Sequence, residues 1–129
     1  MPVAHSKPDL AAHDHAIRAS FAEVARDVRE LLGGRLTAYV GGVGETRAVR
    51  QWADGERAPG EVIQQRLRVA LQVALMLEAS DGREVTQAWF QGLNPHLDDR
   101  SPARLLRDGD LDEAGPAVIA AARAFAIGG

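Results

Sequence analysis

The 129-residue sequence predicts an all-α fold, on three observations. Apolar residues recur at spacings of three and four along most of the chain, glycine and proline punctuate these runs, and no stretch alternates apolar with polar as a strand does. With hydrophobic residues making up 46% of the chain, there is enough apolar material for a packed core. The length suits one compact domain, or a small domain joined tightly to a second unit.

The expected elements follow in order. Residues 1–16, MPVAHSKPDLAAHDHA, read as a flexible tail without the basic start and apolar core of a signal peptide. Phe21, Val24, Val28, Leu31 and Leu32 form one face of a first helix, which Gly33-Gly34 ends. Leu36, Tyr39 and Val40 make a two-turn helix before Gly41-Gly42. A third helix runs from Thr46 to Ala53, turns Val49 and Trp52 inward, and stops at Asp54-Gly55 ahead of Pro59. From Gly60 to Ala79 the pattern is long, and between Val69 and Leu77 only Gln72 interrupts the apolar residues. Such a helix needs cover on most sides, and a second copy of the chain is the expected source.

After Asp81-Gly82 the composition shifts. Glu84 to Gln91 carries Val85, Ala88, Trp89 and Phe90, and Asn94-Pro95 forces a turn. Ser101-Pro102 opens a short helix by a hydroxyl cap followed by proline, with Leu105 and Leu106 inward. Asp110 or Asp112 caps the last helix, whose apolar face is Val118, Ile119, Ala122, Phe125 and Ile127. Pro116 is tolerable only near that helix's first turn. The expected division is a tail over 1–16, one helical unit over 17–80 and a second over 81–129.

Charge and chemistry narrow the function. The net charge is −3, but between Arg35 and Arg68 six arginines face four carboxylates, a local balance of +2 that leaves −5 elsewhere. Lys7 aside, the basic residues are all arginines, which suit planar contacts to phosphate, base or carboxylate; high genomic GC content explains the same bias. No cysteine is present, so thiolate metal sites and a cysteine nucleophile are excluded. His13-Asp14-His15 lacks a third fixed metal ligand. Asp98, Asp99, Asp108, Asp110, Asp112 and Glu113 have no nucleophile or histidine partner, and several suit helix starts. The expectation is a protein with no catalytic residue, metal or cofactor, cytoplasmic and without a membrane span.

The stretch GVGETRAVRQWADGERAP meets the demands of a helix-turn-helix: a short first helix, a glycine at the turn, an apolar residue after it, and a second helix with a polar leading edge. That edge is Glu45, Thr46, Arg47 and Arg50, with Gln51 beside them. Arginine can bond guanine O6 and N7 together, and threonine can touch a thymine methyl or a phosphate. The competing reading is an ordinary corner between helices with solvated arginines.

LTAYVGGVGETRAVRQWADGERAP resembles the Xre-type helix-turn-helix, and NPHLDDRSPARLLRDGD resembles the signature of the Xre/MbcA/ParS-like toxin-binding domain. Together with the helices around them they cover about residues 35–127. The resemblance implies an N-terminal Xre-like unit followed by a small helical toxin-binding unit. It implies an antitoxin of a type II RES-Xre system that dimerises, represses its operon through operator DNA, and neutralises an NAD-consuming RES-domain toxin. Toxin contact would come from the Arg104, Arg107 and Asp108 corner and from Phe125 and Ile127 near the end of the last helix. Trp89, Phe90, Leu105 and Leu106 are expected to be plain core. The alternative is a stand-alone helix-turn-helix regulator whose C-terminal unit serves dimerisation only, or an interaction protein that no longer binds DNA.

Overall fold

The apolar run near the middle of the chain becomes a buried axis around which the other helices are arranged. The computed structural model describes residues 3–128, and the chain forms α1 (Val3–Arg18), α2 (Phe21–Leu32), α3 (Gly34–Gly41), α4 (Thr46–Ala53), α5 (Glu61–Asp81), α6 (Arg83–Gln91), α7 (Pro102–Asp108) and α8 (Leu111–Ala126). A 3-10 turn at Pro95–Leu97 links α6 to α7. The class is all-α: among the described residues the only β pairing is an isolated bridge between Asn94 and Arg100.

On α5, Leu67, Ala70, Leu71, Val73, Ala74, Met76 and Leu77 are buried, together with Gln72. Their cover comes from α1, α2, α3, α6, α7 and α8 of the same chain. The inference that this helix needs a second copy of the chain is thereby corrected. It overlooked α1 and α8, which supply the missing sides. One hydrophobic cluster runs from Ala16 to Ala122, across the boundary expected at 80/81, with Val24, Val28, Leu67, Leu71, Phe90, Leu106 and Val118 fully enclosed.

The tail expected over 1–16 is a second correction. Residues 1 and 2 lie outside the described residues; from Val3 onward the segment is α1, whose Ala12 and Ala16 are buried. Alanines give an amphipathic stripe little contrast, which is why periodicity missed it. Polar ties fasten the helix. Arg68 on α5 donates from one guanidinium nitrogen to the carbonyls of Ala16 and Ala19, both at 2.8 Å. Arg123 on α8 meets Asp9 at 2.7 Å, and His15 meets Asp27 of α2 at the same distance. His13 and His15 are thus tied to different helices, His13 lying 3.5 Å from Gln72 on α5.

Local sequence sets the helix ends. Ser20 and Glu23 form a reciprocal capping box at the start of α2, and the hydrogen bond from Ser20 holds the Glu23 carboxyl below its usual range. Ser101 caps α7 through the Arg104 amide, with Pro102 at the first helical position as expected. Asp110 occupies the cap position of α8, without a side-chain bond. Pro116 lies early in the second turn of that helix, next to the first. The bond it cannot make would have gone to the carbonyl of Asp112, and both residues are exposed, so solvent can serve that carbonyl.

Candidate nucleic-acid interface and C-terminal surface

The turn between α3 and α4 follows from two adjacent glycines with different tasks. Gly42 has φ of +79°, a conformation that favours glycine, and its amide bonds to the Tyr39 carbonyl while that of Val43 bonds to Ala38, both at 3.0 Å. This is the Schellman arrangement that ends a helix and redirects the chain. Gly41 is buried against the indole of Trp52, where an added Cβ would lie 3.2 Å from the ring. Trp52 also meets Phe21 of α2 edge-on, with ring centroids 6.1 Å apart, and Val49 is fully buried beside it. One face of α4 is therefore fixed in the core, as the spacing of Val49 and Trp52 predicts.

The opposite face is open. Glu45, Thr46, Arg47 and Arg50 are exposed and Gln51 is half-buried. Glu45 is the residue preceding the helix, in extended conformation, and its carboxylate does not cap the first-turn amides; the cap position is one residue later than Gly44. Val43, Gly44, Glu45, Arg47, Ala48, Gln51 and Arg57 line a concavity of about 520 Å³ beside the helix. Arg57 is a member the sequence reading missed. It arrives there because Gly55, at φ +75°, turns the chain back so that the amides of Glu56 and Arg57 both donate to the Gln51 carbonyl. The Asp54-Gly55 stop was the available signal. Arg35 was missed too: a Cβ at Gly34 would lie 3.5 Å from Thr46 Cγ2, so the start of α3, where Arg35 is exposed, adjoins the start of α4.

Other arginines on this half work internally. Arg26 donates to the Ala53 carbonyl at the end of α4, at 3.1 Å. Arg66 donates to the Gly41 carbonyl at 3.1 Å and that of Val40 at 3.5 Å, at the end of α3. Helix ends leave carbonyls without intrahelical partners, and cations there also oppose the helix dipole. Burial pushes the Arg66 guanidinium below its usual range, Arg107 adds to the effect and Asp108 opposes it. An arginine remains charged at neutral pH under such a shift.

The C-terminal candidates are divided by the structure. Trp89, Phe90, Leu105 and Leu106 are buried, as expected of core. Arg107, expected at an exposed corner, is half-buried and folded back onto α3: it donates to the Tyr39 carbonyl at 3.1 Å and its guanidinium carbon stands 4.6 Å from the centre of the Tyr39 ring. Asp108 lies 3.7 Å from both Arg104 and Arg107. Phe125 is half-buried, its ring centroid 6.4 Å from that of Trp89, so it is not the free contact residue the sequence suggests. The end of α8 brings Phe125 to Trp89 of α6. Arg104 and Ile127 are open, Ile127 with 77% of its surface exposed.

Among the described residues no group of three metal-ligating side chains converges, and no helix is long and apolar enough to cross a membrane. Compared with known proteins, the chain matches no family model, no curated protein and no solved structure.

Proposed function

We propose that this protein is the antitoxin of a type II RES-Xre toxin-antitoxin system, a cytoplasmic, non-enzymatic homodimer. It represses its operon by placing α4 in the major groove of operator DNA and neutralises an NAD-consuming RES-domain toxin through its C-terminal surface. The observation that carries the DNA half is the asymmetry of α4: Val49 and Trp52 are locked in the core while Thr46, Arg47 and Arg50 stand exposed, with Arg57 lining the adjoining concavity and Arg35 exposed at the neighbouring start of α3. This is the arrangement that direct readout needs, with bidentate donors on the leading edge and further cations for the phosphates. The toxin half rests on the resemblance of residues 94–110, with Arg104 and Ile127 as its open candidates.

A mobility shift on the DNA upstream of the reading frame tests the first half, and co-expression with the neighbouring frame while cellular NAD is followed tests the second. The expected outcome is a salt-sensitive, sequence-selective complex and preserved NAD. If the protein shifts no DNA and spares no NAD, the reading is wrong. Light scattering at micromolar concentration checks the dimer, whose two recognition helices would lie roughly 34 Å apart on a palindromic operator.

One observation favours the stand-alone regulator as a second reading. Arg107 and Phe125 are engaged within the chain, which leaves less of the C-terminal surface for a toxin. DNA binding with no effect on any encoded neighbour would select it.

A further inference from the structure

The end of α3 is held by two guanidinium groups that come from different parts of the chain. Arg66 of α5 takes the Val40 and Gly41 carbonyls, and Arg107 of α7 takes the Tyr39 carbonyl and covers the Tyr39 ring. These three residues immediately precede the Gly42 turn from which α4 departs. Arg66 is already crowded: its Nε is buried without a partner, and a Cβ at Gly42 would lie 3.3 Å from its Nη1. A second cation brought beside it opposes charge with charge, and the negative end of the α3 dipole and the nearby Asp108 are what favour it there. The Arg107 side chain is about one-third exposed, so the contact lies at the surface, where it can be broken without opening the core.

We propose that Arg107 is a positioning residue for the helix-turn-helix: by clamping Tyr39 it sets the attitude in which α3 and α4 are presented, and it ties DNA contact to the state of the α7 corner. Arg107 acts through Tyr39 and the Gly42 turn, not by touching DNA. A carboxylate of a bound acidic partner at the α7 corner competes with the Tyr39 carbonyl and ring for the guanidinium, and so alters how α4 meets the duplex. The inference rests on the DNA-binding reading for its consequence and on the clamp geometry for its cause.

Tyr39 is the chain's single tyrosine, so replacing it biosynthetically with fluorotyrosine gives one fluorine NMR signal that reports the clamp directly. In the full-length protein, Arg107→Gln is expected to shift that signal and to raise amide exchange over residues 39–53 while leaving the buried turns of α5 protected. Operator affinity, measured at several salt concentrations, should fall about tenfold with its salt slope unchanged, and Arg107→Lys should restore part of it. An unmoved fluorine signal with unmoved exchange overturns the clamp. A salt slope reduced by about one unit overturns it in favour of a direct phosphate contact, and a uniform loss of protection including α5 overturns it in favour of a merely structural role. If the unaltered protein binds no DNA, the DNA reading fails, and the NMR and exchange results still decide the clamp.

Discussion

Four exposed arginines around the α3–α4 turn and those of the α6–α8 half are used in opposite ways. The side chains of Arg35, Arg47, Arg50 and Arg57 are exposed and make no hydrogen bond or ion pair among the described residues. Arg100, Arg104, Arg107 and Arg123 each have a partner: Asp98 and the Leu97 carbonyl, Asp108, the Tyr39 carbonyl, and Asp9. The difference matters because an unpaired cation beside a concavity can neutralise a phosphate and release that phosphate's condensed counterions at little cost in lost contacts. A cation already bonded inside the chain must first give up that bond. Charge alone therefore ranks the α4 region as the better place for an anionic partner and assigns the C-terminal half a more internal role.

The comparison can be broken most severely through the core the two regions share. Leu106 is fully buried in the single cluster, so Leu106→Ala should cost about 2–5 kcal/mol and lower one cooperative unfolding transition for the whole chain. Two separate transitions in a denaturant titration would show that the regions are independent.

The next effect sharpens the contrast between the arginines. Arg47→Ala should remove about 1–3 kcal/mol of operator affinity, relax base preference at one position and leave thermal stability near that of the unaltered protein. Arg104→Ala, which loses an exposed ion pair at 3.7 Å, should change stability by no more than about 1 kcal/mol. Anisotropy titrations with a labelled duplex and calorimetric melting, run on both variants, read these outcomes.

Smaller effects separate Phe125 from Ile127. Ile127→Ser should alter stability by about 0.5 kcal/mol or less and, on the proposed antitoxin function, weaken inhibition of the neighbouring gene's product in a co-expression assay. Removing residues 124–129 instead deletes Phe125 from Trp89, so a loss of function in that truncation reports stability as well as contact. An Ile127→Ser variant that inhibits as well as the original directs attention to Arg104.

The smallest effect is acidic. Because Glu23 titrates below its ordinary value of 4.5, the capping box contributes stability that is fully present above that pH and is lost as pH falls through the lowered value. Glu23→Gln, which can still accept from the Ser20 amide and hydroxyl, should flatten that part of the stability curve, as followed by circular dichroism between pH 6 and pH 2 in steps of about one unit.

Much of the helical framework was legible because its signals are local. The 3.6-residue rhythm of Val24, Val28 and Leu32, the Ser101 cap, the glycine turn at 41–42 and the inward pair Val49 and Trp52 each act within a few residues of their position. The leading edge of α4 was legible for the same reason: once Val49 and Trp52 face the core, Arg47 and Arg50 cannot. Arg57 and Arg35 were not legible, since each reaches the α4 groove through a turn or a neighbouring helix start. Phe125 and Arg107 were misjudged because a near-terminal position and a Gly109 stop suggest exposure, while their contacts are with Trp89 and Tyr39, far away in sequence.

By itself the sequence determined that this chain is all-α, where most of its helices begin and end, and which face of α4 carries polar residues, because periodicity, capping and turn chemistry operate over one or two helical turns. Only the tertiary structure decided that α5 is covered by its own chain, that residues from Val3 onward form a packed helix, and which arginines end helices and which stand open. Those outcomes depend on which segments meet across intervals of tens of residues, and an arginine's side chain serves a carbonyl or the solvent according to the neighbour that packing brings to it.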